Sequence, residues 1–165
     1  MPLRLFLIGL FLVIPVMLHA QEKMDKKMDE HKTTHIMHVP SDLTWVDGPA
    51  SLPKGAKVAM LEGDMKTGPF TVRAKIPANY KIPPHFHPGV EHVTVISGSC
   101  YMGIGDLFDE SKATKLPVGG FAAMEIGTHH FFFTKEECEI QLHGIGPWGI
   151  TYLNPADDPR NMTSK

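Results

Sequence analysis

Two histidines and a glutamate stand close together near the middle of the chain. His85 and His87 are two residues apart, and Glu91 follows the second histidine by four. If the histidines lie on a β-strand, both imidazoles leave the same face, because side chains alternate along a strand. Two imidazoles and one carboxylate form most of a site for a first-row transition metal. A surface hairpin with incidental histidines is the alternative, and the nearby glutamate favours the metal site.

The elements around these residues are predicted to be two strands joined by a turn. Residues 88–90, with the sequence Pro-Gly-Val, predict a tight turn. Glu91 then opens a strand in which Val93 and Val95 alternate with other residues as far as Gly98. We therefore expect a β-hairpin that carries the two histidines and the glutamate.

Residues 85–98 resemble the first motif of the cupin superfamily, G-x5-H-x-H-x3-E-x6-G. His85, His87, Glu91 and Gly98 match the motif, and Asn79 stands where its leading glycine is usual. Asparagine is one of the few residues that tolerate a positive φ, so this replacement is mild. The resemblance implies an all-β, single-domain fold, a cupin-type jelly-roll β-barrel of six to eight strands with a metal inside.

Residues 116–134 resemble the second cupin motif, G-x5-P-x-G-x2-H-x3-N. The matching residues are Gly119, Gly127 and His130, whereas Glu125 and Thr134 replace the usual proline and asparagine. The resemblance implies that His130 is the fourth metal ligand. His129 should point the other way on a strand, as a rim or surface residue.

Composition supports one turn-rich β domain. The chain has 165 residues, which is enough for one core, and it contains 15 Gly and 14 Pro. Its 16 basic and 18 acidic residues are nearly balanced. No nucleic acid and no anionic membrane is therefore expected as a partner.

The first 20 residues are predicted to be a signal peptide. Arg4 precedes an apolar run over residues 5–18, which is shorter than the roughly 20 residues that a spanning helix needs. Cleavage after Ala20 would start the mature protein at Gln21 and leave no membrane anchor. We expect an exported protein, periplasmic or secreted, and the alternative is an uncleaved anchor.

Residues 21–40 are predicted to be a flexible arm, followed by the barrel domain with a C-terminal cover segment over residues 41–165. The arm is rich in thioethers and imidazoles, which suit copper: Met24, Met28, His31, His35, Met37 and His38. A solvated tail with incidental methionines and histidines is the favoured alternative.

Other strands are predicted over residues 43–46, 56–62, 70–76, 100–104 and 138–144, the last being the final strand, with a polar loop over 105–115. Gln141 and His143 lie on the polar face of the last strand, which faces either solvent or the cavity. The tail is expected to cover the barrel, with ion pairs among Asp157, Asp158 and Arg160.

Cys100 and Cys138 are the two cysteines of the chain, and a disulfide between them is expected if the protein is exported.

Two functions are weighed for the metal site. The resemblance implies one divalent transition metal, namely Fe, Mn, Ni, Cu or Zn, on His85, His87, Glu91 and His130. A metal-dependent enzyme acting on a small molecule, as a dioxygenase, decarboxylase or isomerase, would add a second ring of polar groups, for which His92, His129 and His143 are the acid–base candidates. A non-catalytic module that binds a metal or small ligand would show only the ligands and apolar walls. A purely structural barrel ranks last, and monomer and homodimer both remain open.

Overall fold

The computed structural model describes residues 35–162. The predicted signal peptide and residues 21–34 of the arm lie outside these residues. From His38 onward, the chain belongs to one compact unit. Its strands are β1 (Val46–Asp47), β2 (Lys57–Gly63), β3 (Pro69–Ile76), β4 (Lys81–Phe86), β5 (Glu91–Ser97), β6 (Cys100–Ile104), β7 (Thr114–Leu116), β8 (Phe121–Met124), β9 (His130–Phe133), β10 (Cys138–Ile145) and β11 (Thr151–Tyr152).

The strands form two antiparallel sheets that enclose the core. The six-stranded sheet has the order β1-β2-β3-β10-β5-β8, and the five-stranded sheet has the order β11-β4-β9-β6-β7. Helical structure in the described residues is limited to four short 3-10 turns: Pro40–Asp42, Glu110–Lys112, Pro155–Asp157 and Pro159–Asn161. The fold is an all-β jelly-roll barrel, as predicted.

The predicted hairpin between β4 and β5 is wrong. β4 pairs with β9 and β11 in one sheet, whereas β5 pairs with β10 and β8 in the other. Each strand has an apolar face to bury, and strands in opposite sheets can bury both faces against one core. Residues 87–90 therefore carry the chain across the barrel from sheet to sheet.

Alternating side chains build the core of the six-stranded sheet. In β3, Phe70, Val72, Ala74 and Ile76 are all buried, on the face predicted from the sequence. The inward residues of β5 and β10 continue this layer across the sheet. Burying each large apolar side chain contributes about 1.5–3 kcal/mol to stability.

Two turn positions require unusual backbone angles. Asn79 has a φ of 60°, so it adopts the left-handed conformation that its place in the cupin motif demands. Gly98 has a φ of 67°, and a Cβ added there would lie 2.2 Å from the carbonyl oxygen of Glu137. A larger residue at Gly98 would therefore push β5 and β10 apart.

Thr134, which follows β9, is hydrogen-bonded to the turn that precedes β4. Its hydroxyl donates to the carbonyl of Pro77 at 2.6 Å and accepts from the backbone N–H of Tyr80 at 3.0 Å. The side chain is buried, so both polar contacts are made away from solvent. Threonine thus supplies hydrogen bonds at the position where the motif usually has asparagine.

Several predicted boundaries differ from the structure. The strand expected over residues 43–46 is reduced to Val46–Asp47, and the loop expected over 105–115 contains a 3-10 turn and the start of β7. β10 is not the final strand, because β11 follows it and pairs with β4. In the tail, Arg160 pairs with Asp158 at 2.6 Å, and Asp157 takes no part in that contact. A short strand such as β11 depends on a pairing partner that is distant in the sequence.

No helix within residues 35–162 has the length and apolar character needed to cross a bilayer.

Cys100 and Cys138 begin two strands in different sheets and are both buried. Their thiols are free, and the neighbouring Cys138 raises the pKa of the Cys100 thiol. A disulfide between them would tie the two sheets together.

We predict that, if the protein is exported, this bridge forms there and stabilises it by about 2–4 kcal/mol. Ellman titration of the unfolded, unreduced protein should then find no free thiol, and reduction should lower the denaturation midpoint. A Cys100→Ser/Cys138→Ser variant is the control whose midpoint should not respond to reduction. Two thiols that titrate without reduction would contradict the prediction.

Candidate metal centre

The structure brings together the four residues that the sequence nominated as metal ligands. His85 lies in β4 and His130 begins β9, and the two residues are directly opposite each other in the register of these strands. His87 follows the end of β4, and Glu91 begins β5 in the facing sheet. All four side chains are buried.

The nitrogen donors of the three histidines converge on one point, and the carboxylate of Glu91 lies beside two of them. Nitrogen atoms of His85, His87 and His130 lie within 4.8 Å of one another. One carboxylate oxygen of Glu91 is 3.6 Å from Nε2 of His87, and the other is 3.3 Å from Nε2 of His130. These separations match those of ligands arranged around a single first-row metal ion.

Backbone carbonyls fix the tautomer of each imidazole. Nδ1 of His85 lies 2.7 Å from the carbonyl of Pro83, and Nδ1 of His130 lies 2.9 Å from that of Thr128. Nδ1 of His87 lies 2.7 Å from the carbonyl of Gly149. A carbonyl oxygen only accepts hydrogen bonds, so each Nδ1 carries the proton and Nε2 keeps a free lone pair. This is how metal-binding histidines are usually oriented.

Two buried atoms at the point of convergence lack a hydrogen-bond partner among the described residues. They are Nε2 of His87 and one carboxylate oxygen of Glu91. Buried polar atoms are nearly always satisfied in folded proteins, and an orphaned pair costs stability. A metal ion would satisfy both atoms, so the residues present fit such a group.

The protonation of the cluster also suits a cation. Burial, together with the nearby imidazoles of His130 and His87, lowers the pKa of His85 to about 3. Burial likewise lowers the pKa of His87. Burial acts to raise the pKa of Glu91, but the surrounding imidazoles outweigh it and lower this pKa. His85 and His87 are therefore neutral and the carboxylate is ionised at neutral pH, as metal binding requires.

The cluster lines a cavity of about 210 Å³ between the two sheets. Apart from the four candidate ligands, every described residue that lines it is aliphatic, aromatic or a methionine. Val93, Ile140 and Leu142 contribute from one sheet, and Met102 and Phe132 contribute from the other. The centre therefore opens onto an apolar space.

Sequence reasoning missed one part of the site. The ring of Trp148 stacks on the ring of His87, with centroids 4.4 Å apart and planes at 15°. The carbonyl of the next residue, Gly149, holds Nδ1 of His87. The C-terminal segment is thus in contact with a candidate ligand. A tryptophan and a glycine beside a proline carry no pattern that indicates this role.

The other polar candidates lie outside the cavity. Nδ1 of His129 is 2.7 Å from a carboxylate oxygen of Asp106, and the side chain is 41% exposed. His92 and His143 stack on each other on the outer face of the six-stranded sheet, and Gln141 accepts a hydrogen bond there from Arg73. The acid–base roles considered for the three histidines, and a cavity-lining role for Gln141, are therefore not supported. Alternation places these side chains opposite the inward residues of their strands.

The family model described as the ChrR cupin-like domain matches residues 33–143, which include all four candidate ligands. The chain belongs to this cupin family. No curated protein matches the chain.

Solved cupin structures share the fold at low sequence identity. The polyketide cyclase RemF from Streptomyces resistomycificus is 18% identical, covers 77% of this chain and 91% of its own, and has a TM-score of 0.62. An acetylacetone dioxygenase from Acinetobacter johnsonii is 16% identical, covers 78% and 84%, and has a TM-score of 0.59. At these identities the likeness concerns the fold alone.

His129 and His130 are adjacent in the sequence, and only His130 is a candidate ligand, so replacing each in turn tests which of the two binds the metal. We predict that His87→Ala and His130→Ala lose tight metal binding, because each removes an Nε2 donor, whereas His129→Ala keeps it. Metal also stabilises the fold, by about 2.7 kcal/mol at a hundredfold excess over the dissociation constant. Metal content and the thermal midpoint with and without metal check both effects.

Two results would contradict this arrangement. If His129→Ala lost its metal while His130→Ala kept it, the assignment at this position would be wrong by one residue. If all three variants kept their metal, the binding site would lie elsewhere in the chain.

Proposed function

We propose that this cupin binds one divalent transition metal through Nε2 of His85, His87 and His130 and the carboxylate of Glu91. The observation that carries the proposal is the set of three Nδ1–carbonyl hydrogen bonds, which leave three lone pairs aimed at one point. Imidazole and carboxylate donors suit Fe, Mn, Ni, Cu or Zn. The metal, when bound, supplies Lewis acidity and exchangeable positions for a small molecule.

The cavity indicates the class of molecule that reaches this centre. Beyond the four ligands, the one hydrogen-bonding side chain that lines it among the described residues is Trp148, whose buried Nε1–H has no partner there. An unpaired charge on the bound molecule would therefore be costly to bury. A volume of about 210 Å³ suits a molecule of modest size. We propose a small, mostly apolar ligand with one or two donor atoms at the end that faces the metal.

Binding without turnover is the function that the cavity supports best. An enzyme that relies on a protein acid or base would place one beside the centre, and apart from the four candidate ligands no such group lines the cavity among the described residues. This was the feature expected to separate a binding module from an enzyme. The role of the chain's own groups is then to orient the metal ligands and to exclude water from the bound molecule.

A dioxygenase is the second candidate. The apolar cavity beside the ligand cluster favours it over a decarboxylase or an isomerase, because oxygenation of a chelated substrate depends on the metal and O₂ more than on protein acids and bases. An acetylacetone dioxygenase shares this fold.

The cellular setting is part of the same proposal. Export with cleavage after Ala20, to the periplasm or to the exterior, follows from the sequence of residues 1–20. We propose a small molecule as the partner, with no nucleic acid.

We predict that acetylacetone and catechol raise the thermal midpoint of the metal-loaded protein, whereas succinate does not, because its second carboxylate would be buried away from the metal without a partner. Ala74→Leu is the control, since Ala74 lines the cavity away from the ligands. This variant should keep its metal and lose the response to acetylacetone and catechol.

An oxygen electrode then separates the two functions. Binding without O₂ consumption supports the module, and metal-dependent O₂ consumption supports the dioxygenase. A protein that takes up no metal, or that responds only to succinate, would contradict the proposed function.

A further inference from the structure

Two histidines face each other on the outer surface of the six-stranded sheet. His92 of β5 and His143 of β10 are directly opposite in the strand register. Their ring centroids are 4.7 Å apart, and the ring planes differ by 15°. Both side chains are half-buried, and they lie on the opposite side of the sheet from the inward residues Glu91 and Leu142.

The imidazoles of this outer pair make no hydrogen bond to any residue within 35–162. Nδ1 of His92 is buried without a partner. By contrast, His38 and His129, which are also outside the barrel interior, each have a ring nitrogen bonded to an oxygen. The outer pair therefore keeps its nitrogen donors available.

Neighbouring side chains pack against the pair, and the cations of β3 on this face have partners of their own. Phe121 of the neighbouring strand stacks on His92, with centroids 5.9 Å apart and planes at 19°. Thr71 lies opposite His143 on the other side and bonds to the carboxylate of Glu62 at 2.9 Å. Two cations of β3 lie on this face: Arg73 contacts Glu139 at 3.1 Å, which offsets its charge, and Lys75 lies over the ring of Trp45.

We propose that His92 and His143 form a second metal site that binds a divalent ion preferring imidazole, namely Zn²⁺, Cu²⁺ or Ni²⁺. Directly opposed residues on antiparallel strands have Cβ atoms about 4.5–5.5 Å apart, which lets both side chains reach one ion. Two nitrogens bound to a tetrahedral zinc lie about 3.4 Å apart, so the rings need only turn out of their stack. Water completes the coordination, and the site is weaker than the one inside the barrel because it has two protein ligands.

This outer site is independent of the proposed function. It uses the opposite face of the sheet and none of the four interior ligands. An ion there would join β5 to β10, two of the central strands of the sheet. Metal bound at the surface would therefore add stability beyond that supplied by the interior metal.

Zinc titration of the full chain by calorimetry tests the site, with His92→Gln, His143→Gln and His129→Gln compared with wild type. We expect the first two variants to lose the same single, weaker equivalent of Zn²⁺ and His129→Gln to lose none. His87→Ala should lose the tight equivalent and keep the weaker one, which separates this site from the barrel centre. Zinc bound by residues 21–40 is common to all the proteins and cancels in the comparison.

A measurement on the wild-type protein covers the case in which a variant fails to fold. After one equivalent of Zn²⁺ has filled the barrel centre, added Ni²⁺ should broaden the amide NMR signals of His92, His143 and their row neighbour Thr71. Unchanged signals there at excess Ni²⁺ would overturn the proposal. So would isotherms of His92→Gln and His143→Gln that match wild type, or loss of the equivalent in one of them alone.

Discussion

Three hydrogen bonds from imidazoles to backbone carbonyls determine what the interior of this barrel can bind. Because a carbonyl cannot donate, each bond places the proton on Nδ1 and leaves Nε2 as an acceptor. Each bond also sets the direction of its ring, so the three lone pairs meet beside the carboxylate of Glu91. The carbonyls belong to Pro83, Thr128 and Gly149. Without them, the same histidines could adopt the other tautomer and present N–H groups to the centre.

These three bonds differ in how far along the chain they reach. Those of His85 and His130 run to the carbonyl two residues earlier, so the local strand conformation supplies them. That of His87 reaches 62 residues onward to Gly149, beside the tryptophan that stacks on the same ring. The orientation of His87 therefore depends on the docking of the C-terminal segment. Damage to this segment should reach the metal centre although it contains no ligand.

Local sequence patterns predicted the features of the fold that depend on residues close together in the sequence. Alternation placed Phe70 and its neighbours in the core, and the tolerance of asparagine for a positive φ accounted for Asn79. The motifs brought His130 to the other candidate ligands. The pairing partners of the strands could not be predicted in this way, because alternation is the same whether β4 pairs with β5 or faces it across a barrel. Alternation also separates two faces without saying which one meets solvent, so the outward position of His143 needed the structure.

The tautomer of the three interior histidines tests the central claim most directly. Long-range ¹H–¹⁵N NMR of the metal-free protein at neutral pH distinguishes a protonated from an unprotonated ring nitrogen. The account predicts a protonated Nδ1 and an unprotonated Nε2 for His85, His87 and His130, with the Nε2 signals shifting when Zn²⁺ is added. An Nε2–H tautomer at two or more of these residues, or Nε2 signals unchanged by the metal, would contradict it.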